Sequence, residues 1–427
     1  MKTSLKIQVL FLLLTTSSFS YAQVEASDFI DIESKVIQWR HEIHQNPELS
    51  NREFNTAKKV GAHLESLGIE VSTGIAYTGV VGILKGNKKG KVVALRADMD
   101  GLPVTERGSL PYKSQATSIF NNQKTGVMHA CGHDTHVAIL MGVAEILANN
   151  RDFAGSVKFI FQPAEEGPPA GEEGGALLMV KEGVLKNPDV DAIFGLHINS
   201  ATPVGHIAYK TKGIMAAADE YKIVVGGKQS HGSTPWNSVD PIMISSQIIN
   251  GIQTLISRSS ELTKEGAVVS VGAIHSGIRS NIIPESAEMI GTIRTLDADM
   301  QTVIHNRMYD MIPKIAAAYG GIAAVTIRKT AALTYNDEAL TNLMVPTLER
   351  AVGASNVHVM RAITGAEDFS YFQEQVPGLY FFLGGMEPTM NPANAPSHHT
   401  PDFVVQDEGM IHGVKAMVGL ALDFLKL

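Results

Sequence analysis

A rhythm of short, unbroken apolar runs separated by helical patterns limits what this chain can fold into more than any other feature of its sequence. The runs 80–84, 92–97, 157–161 and 192–196 are β-rich, and a helical pattern over about 135–149 separates the second from the third. Strands that are apolar on both faces must be covered on both faces. The pattern therefore predicts an α/β fold with a mostly parallel sheet between layers of helices. Two helical patterns precede it: Ile32, Val36, Trp39 and Ile43 share a face ahead of Asn46-Pro47, and Ala57, Val60, Leu64 and Leu67 do so ahead of Gly68.

The rhythm changes after about residue 213. Strand (220–225), helix (241–258), strand (268–273), strand (287–294), helix (300–319) and strand (323–327) give the βαββαβ order of a ferredoxin-like sandwich. A helix near 338–352, a strand near 379–383 and a last helix near 408–425 then return to the first pattern. The expected architecture is a discontinuous domain over 27–212 and 330–427, with a compact α/β domain, 213–329, inserted in it.

Composition removes several function classes. The 35 basic and 43 acidic side chains give a net charge of −8 without a basic block, so nothing here draws a nucleic-acid backbone. Only one run is strongly apolar, which excludes a multispan membrane protein. That run follows Lys2 and Lys6, covers 7–14, and leads to the small residues Ser20 and Ala22. It reads as a secretory signal over residues 1–22, so the mature chain is expected to be exported, periplasmic or released, with no membrane association after cleavage. An exported chain with one Cys cannot form an internal disulfide. Cys131 is then a buried thiol, a reactive thiol or a metal ligand.

Its surroundings favour the last. In Met128-His129-Ala130-Cys131-Gly132-His133-Asp134-Thr135-His136, a thiolate donor and an imidazole donor stand two residues apart, and Gly132 lets the backbone turn so that both face one point. In Phe161-Gln162-Pro163-Ala164-Glu165-Glu166-Gly167, an apolar strand runs into two carboxylates. Neighbouring residues of an extended segment point in opposite directions, so one can ligate a metal while the other faces a water. His197 ends the buried-looking run 193–197, and His398-His399 lie in a Pro-rich loop before the last helix. A Cys, a Glu and several His at strand ends and loops are what a transition-metal site requires.

With those residues in place, the chain resembles the M20 metallopeptidase and amidohydrolase family, in the branch of aminoacylases, hippurate hydrolases and auxin-conjugate hydrolases. The resemblance covers nearly all of the mature chain. Beyond the stretches above it rests on Arg40-His41-Glu42-Ile43-His44 with Pro47-Glu48-Leu49-Ser50, on 95–103 containing Asp98-Met99-Asp100, on Gly195-Leu196-His197, on Asn281-Ile282-Ile283-Pro284, on 365–370, and on His399-Thr400-Pro401-Asp402-Phe403. It implies metal ligands at Cys131, His133, Glu166, His197 and His399, a catalytic carboxylate at Glu165, and Asp98 as the acid that orients a ligand. Other branches carry a ligating His where this chain has Arg96, which places the chain with the thiolate-using members.

The resemblance also implies one or two divalent ions per subunit that acidify a water and polarise an amide carbonyl, while Glu165 carries the proton to the departing amine. Thiolate and imidazole donors favour zinc or cobalt on softness, while the family also uses manganese or nickel; zinc or manganese is the expectation, with cobalt or nickel as alternatives. His231, in Gln229 to Pro235, matches the family segment that approaches the reaction centre on closure, and Trp236 departs from the usual His after that Pro. Asn281 and Arg279 are candidates to hold a substrate carboxylate, with Gly365 offering backbone contact near the metal. The expected substrate is a small N-acyl amino acid with an acetyl, benzoyl or other aryl-acyl group. A dipeptidase or carboxypeptidase is the nearest alternative, and a non-catalytic exported metal- or solute-binding protein the alternative from another class. A homodimer through the inserted domain is compatible with the family resemblance.

Overall fold

The computed structural model describes residues 24–427, so the expected signal segment lies outside the described residues. Two sheets organise the chain. The larger has eight strands, ordered in space 70–75, 79–85, 154–162, 88–98, 192–203, 378–386, 207–209 and 357–359. Its four central strands, Ala154–Gln162, Lys88–Asp98, Ala192–Pro203 and Gly378–Met386, run parallel. Gly79–Lys85, an apolar run read as part of the alternation, pairs antiparallel with Ala154–Gln162. A buried strand reads the same in either direction, which is why periodicity could not orient it.

Strand alternation divides the core. Val93, Leu95 and Ala97 face the cluster built with helices Ala26–Gln45, His133–Asn149 and Met410–Leu425, while Ala94 faces Phe369, Phe372 and Tyr380 on the other side. The helix His133–Asn149 is buried over nearly its whole length, lying between the sheet and its neighbours. No helix among the described residues is long and apolar enough to cross a membrane.

The second sheet is wholly antiparallel, ordered 267–276, 286–295, 217–226 and 322–331. Its strands and the helices Pro241–Thr254 and Ala298–Ala318 follow the βαββαβ order read from the sequence. Both helices lie on one face, where Ile223, Val225, Ile248, Met289 and Ile304 are buried together. The opposite face carries Glu220, Lys222, Ile290 and Arg294, with no covering layer among the described residues, and a recess of about 740 Å³ runs along it.

Candidate metal centre and active site

The parallel strands deliver the functional side chains to one edge of the large sheet. Asp98 is the last residue of its strand, Glu165 and Glu166 follow the end of the neighbouring one, and ligands of open α/β sheets collect at such carboxyl ends. His197 does not end its strand as expected, because Ala192–Pro203 continues past it. On one side, however, the ladder to Lys88–Asp98 stops at Arg96↔Gly195 while the other side continues through Phe382↔His197. His197 is therefore at an edge in space though not in sequence.

Cys131 and His133 come from the loop entering the helix His133–Asn149. Gly132 has φ 95°, and a Cβ built there would lie 2.3 Å from Ile198 Cγ2, so both the backbone turn and the close approach require glycine. The loop of His399 is tied back by its own amide, which donates to the Ala130 carbonyl at 2.8 Å.

These segments bring all five expected ligands together. Cys131 Sγ lies 3.3 Å from His197 Nε2 and 3.2 Å from His399 Nε2. His399 Nε2 is in turn 3.0 Å from Glu166 Oε1, and His133 Nε2 is 4.0 Å from that oxygen and 3.9 Å from Glu165 Oε2. His197 Nδ1 donates to the Ile198 carbonyl at 2.6 Å, which fixes its tautomer and frees the lone pair on Nε2. Burial, with His136 and His398 nearby, holds that imidazole well below its ordinary pKa.

Neither ring nitrogen of His133 makes a hydrogen bond although the side chain is fully buried; Asp100 Oδ1, 3.3 Å from Nδ1, lies off the bonding axis. His136 differs. Its Nδ1 meets Asp98 Oδ1 at 2.6 Å and its Nε2 accepts from the Ile198 amide at 2.8 Å, so both nitrogens are engaged. Asp98 thus bonds His136 rather than one of the expected ligands. Its other oxygen takes Arg96 Nη1 at 2.7 Å and lies 3.8 Å from His133.

The local charge balance is strongly negative. Arg96 is buried and reaches Asp98, Glu367 Oε1 at 2.9 Å, Asp368 Oδ1 at 3.1 Å and Gln162 Oε1 at 2.8 Å. Burial alone would raise the Asp98 pKa, but Arg96, His133 and His136 outweigh it and hold the carboxyl well below its usual range. Glu165 goes the other way, pushed well up by burial and by Glu367 and Glu166. Burial and then Glu166 and Glu165 push the Cys131 thiol up as well. A soft thiolate donor, three imidazoles, a carboxylate and surplus buried acid are the donor set and the charge that divalent cations balance. The residues fit the group.

Four residues singled out from the sequence lie elsewhere. His231 pairs with Ile282, and the Gly232 amide donates to the Asn281 carbonyl at 2.8 Å, so His231, Asn281 and Arg279 sit together, exposed, beyond the end of the second sheet. None of them lines the cleft that holds Glu165. Gly365 is exposed, and its carbonyl accepts from the Ala216 amide at 2.9 Å where the two sheets approach each other.

The cleft itself, about 630 Å³, has Glu165, Glu166, Glu367 and Asp368 on one wall and Arg294 and Arg328 of the second sheet on the other. Sequence reasoning missed both arginines, which are cations of ordinary strands, Arg294 alone in its strand and Arg328 next to Lys329. It also assigned no role to Glu53, or to Asp100, Glu367 and Asp368 within motifs that it did quote. Glu53 is buried, and burial together with Asp100 pushes its pKa up to about 8.

Comparison with known proteins agrees with this geometry. The family model described as "Peptidase family M20/M25/M40" matches residues 94–423. A thermostable carboxypeptidase of Saccharolobus solfataricus is 42% identical over 403 residues, covering 93% of this chain and 97% of that protein. An N-acetylcysteine deacetylase of Bacillus subtilis is 37% identical over 397 residues, covering 92% and 97%. A solved Bacillus subtilis structure, described as a dinuclear metal binding peptidase from the M20 family, superposes with a TM-score of 0.77 at 33% identity, covering 93% and 99%. The chain belongs to the M20/M25/M40 peptidase family and is a metallo-amidohydrolase that uses one or two divalent ions.

Proposed function

We propose that this enzyme hydrolyses the amide bond of small N-acyl amino acids, with Cys131, His133, Glu166, His197 and His399 holding zinc and Glu165 moving the proton. One observation carries the reading: five donor side chains converge beside a carboxylate, on a cleft whose far wall presents Arg294 and Arg328. When bound, the ions lower the pKa of water and polarise the amide carbonyl.

The chain's own groups do the rest. Glu165, buried among carboxylates, has a raised proton affinity suited to taking a proton from water and giving it to the leaving amine. Arg96 keeps Asp98 ionised, and Asp98 fixes His136, whose Nε2 holds the Ile198 amide beside His197. Arg294 and Arg328 supply the planar donors that a substrate carboxylate accepts. Arg328 pairs with Glu220 at 2.7 Å and Arg294 bonds the Thr292 hydroxyl. Thiolate and imidazole donors together support zinc over manganese. The basic, apolar, small-residue start of the sequence supports export.

Cleavage of a C-terminal residue from a peptide is the second reading, and the 42%-identical carboxypeptidase favours it. The deciding experiment is a chromatographic assay of zinc-loaded protein on N-acetyl and N-benzoyl amino acids, on dipeptides, and on the matching carboxamides. Release from N-acyl amino acids but not from their carboxamides supports the proposal. Turnover confined to dipeptides overturns it in favour of the second reading, and no cleavage of any amide overturns both.

A further inference from the structure

The turn that presents Glu165 and Glu166 lies beyond any ladder. Its strand ends at Gln162, and Ala164 takes a left-handed φ of 54°, a conformation that a side chain resists. Three consecutive amides of this turn point into the protein, and each ends on a buried carboxylate. The Ala164 amide donates to Glu53 Oε1 at 2.9 Å, the Glu165 amide to Asp100 Oδ1 at 3.0 Å, and the Glu166 amide to Asp100 Oδ2 at 3.1 Å. Glu53 and Asp100 are at most 1% exposed and come from segments far apart in sequence, one ahead of the helix Phe54–Ser66 and the other just after the strand Lys88–Asp98.

We propose that Glu53 and Asp100 clamp this turn and set which way its two carboxylates point, so that Glu166 reaches the metal ligands while Glu165 stays free for the proton. They are positioning residues, and the inference rests on the roles just proposed for Glu165 and Glu166. Glu165 and Glu166 are neighbours in this turn rather than in an extended strand, so the direction of each carboxylate follows from how the turn's backbone amides are held. Asp100 also lies 3.3 Å from His133 Nδ1, which places it against a second expected ligand.

The two clamps differ in what they must accept. Both Asp100 oxygens receive a backbone N–H, and Oδ2 also takes the Ser50 hydroxyl at 2.7 Å, so neither can become an NH₂ group. Glu53 Oε1 takes two amides, those of Ala164 and Asn51, whereas Oε2 meets the Thr78 hydroxyl at 2.5 Å, which can donate or accept. An amide side chain can therefore replace Glu53 but not Asp100.

The test compares Asp100→Asn, Glu53→Ala and Glu53→Gln in the full chain, measuring kcat, KM, zinc affinity by chelator competition, and melting temperature. Asp100→Asn is expected to lower kcat and zinc affinity by about 10–100-fold each, the range for lost outer partners of metal sites, with KM nearly unchanged. Glu53→Ala lowers kcat in the same way, and Glu53→Gln rescues it. Wild-type kcat and zinc affinity in Asp100→Asn would overturn the clamp, as would Glu53→Gln being as damaged as Glu53→Ala. If Asp100→Asn fails to fold, the Gln/Ala contrast at Glu53 still decides. Undiminished turnover in Glu165→Gln would instead sink the role of the base, while the zinc affinities of the clamp variants continue to report on the clamp.

Discussion

At the scale of single residues, chemistry was legible where a residue type is scarce. One Cys in an exported-looking chain, two residues from a His, has few explanations, and Cys131 lies within 3.3 Å of two imidazoles. Replacing its sulfur with the harder hydroxyl in Cys131→Ser should weaken zinc binding by more than the 10–100-fold that a lost outer partner costs, read by chelator competition. Glu165→Gln should keep its metal and lose about 10²–10⁴-fold in kcat, which metal analysis and kinetics on one sample can show. Turnover within a few-fold of wild type would contradict the assignment. Arg294 and Arg328 could not be read in this way. Arg294 is one cation in its strand and Arg328 is followed by Lys329, an ordinary solvated pattern, and only the approach of the second sheet to the first puts them opposite Glu165.

Between elements, the Arg40 to His44 motif turned out to brace the metal helix from behind. Arg40 Nε and His44 Nδ1 meet the same Asp134 oxygen at 3.1 and 3.0 Å, next to His133, and His44 Nε2 lies 3.3 Å from Glu106. The sequence showed the motif and the helical face but not the partner, because Asp134 is 90 residues away. Burial alone would lower the His44 pKa, yet Asp134 and Glu106 raise it to about 9, above its ordinary 6.5. A raised folded-state pKa gives stability that is fully present below about pH 6.5 and lost as pH rises through about 9, on the order of 3 kcal/mol in all. Urea unfolding should therefore show the gap between wild type and His44→Gln closing from pH 6 to pH 9.5. A constant gap would argue that His44 contributes packing alone. Gly132→Ala should lower the melting temperature and zinc affinity together, since a Cβ there meets Ile198 and an alanine at that φ is strained.

For the molecule as a whole, the alternation of apolar runs and helices predicted the layered sheet, and the inserted βαββαβ rhythm appeared as the second sheet. Short peripheral pieces were not legible: the strands Glu70–Ile75, Ile207–Tyr209 and Val357–Val359 are too brief or too polar to carry a period. Because the ligands come from loops around the large sheet, metal should join these loops energetically. Adding zinc at a hundred times its dissociation constant should stabilise the fold by about 2.7 kcal/mol and raise its melting temperature, and a chelator should reverse the shift. An unchanged melting curve would mean that the loops are assembled without the ion.

The uncovered face of the second sheet has a geometric result of its own. Strands locked in a ladder cannot repack around a guest as loops do, and their side chains recur on one face only every second residue, a spacing of about 6.6 Å. Arg294 and Arg328 therefore stand at fixed stations along a rigid ruler, and a guest tethered at the far side of the gap by its reacting bond reaches one station or falls short of it. Such a wall gauges reach more sharply than outline.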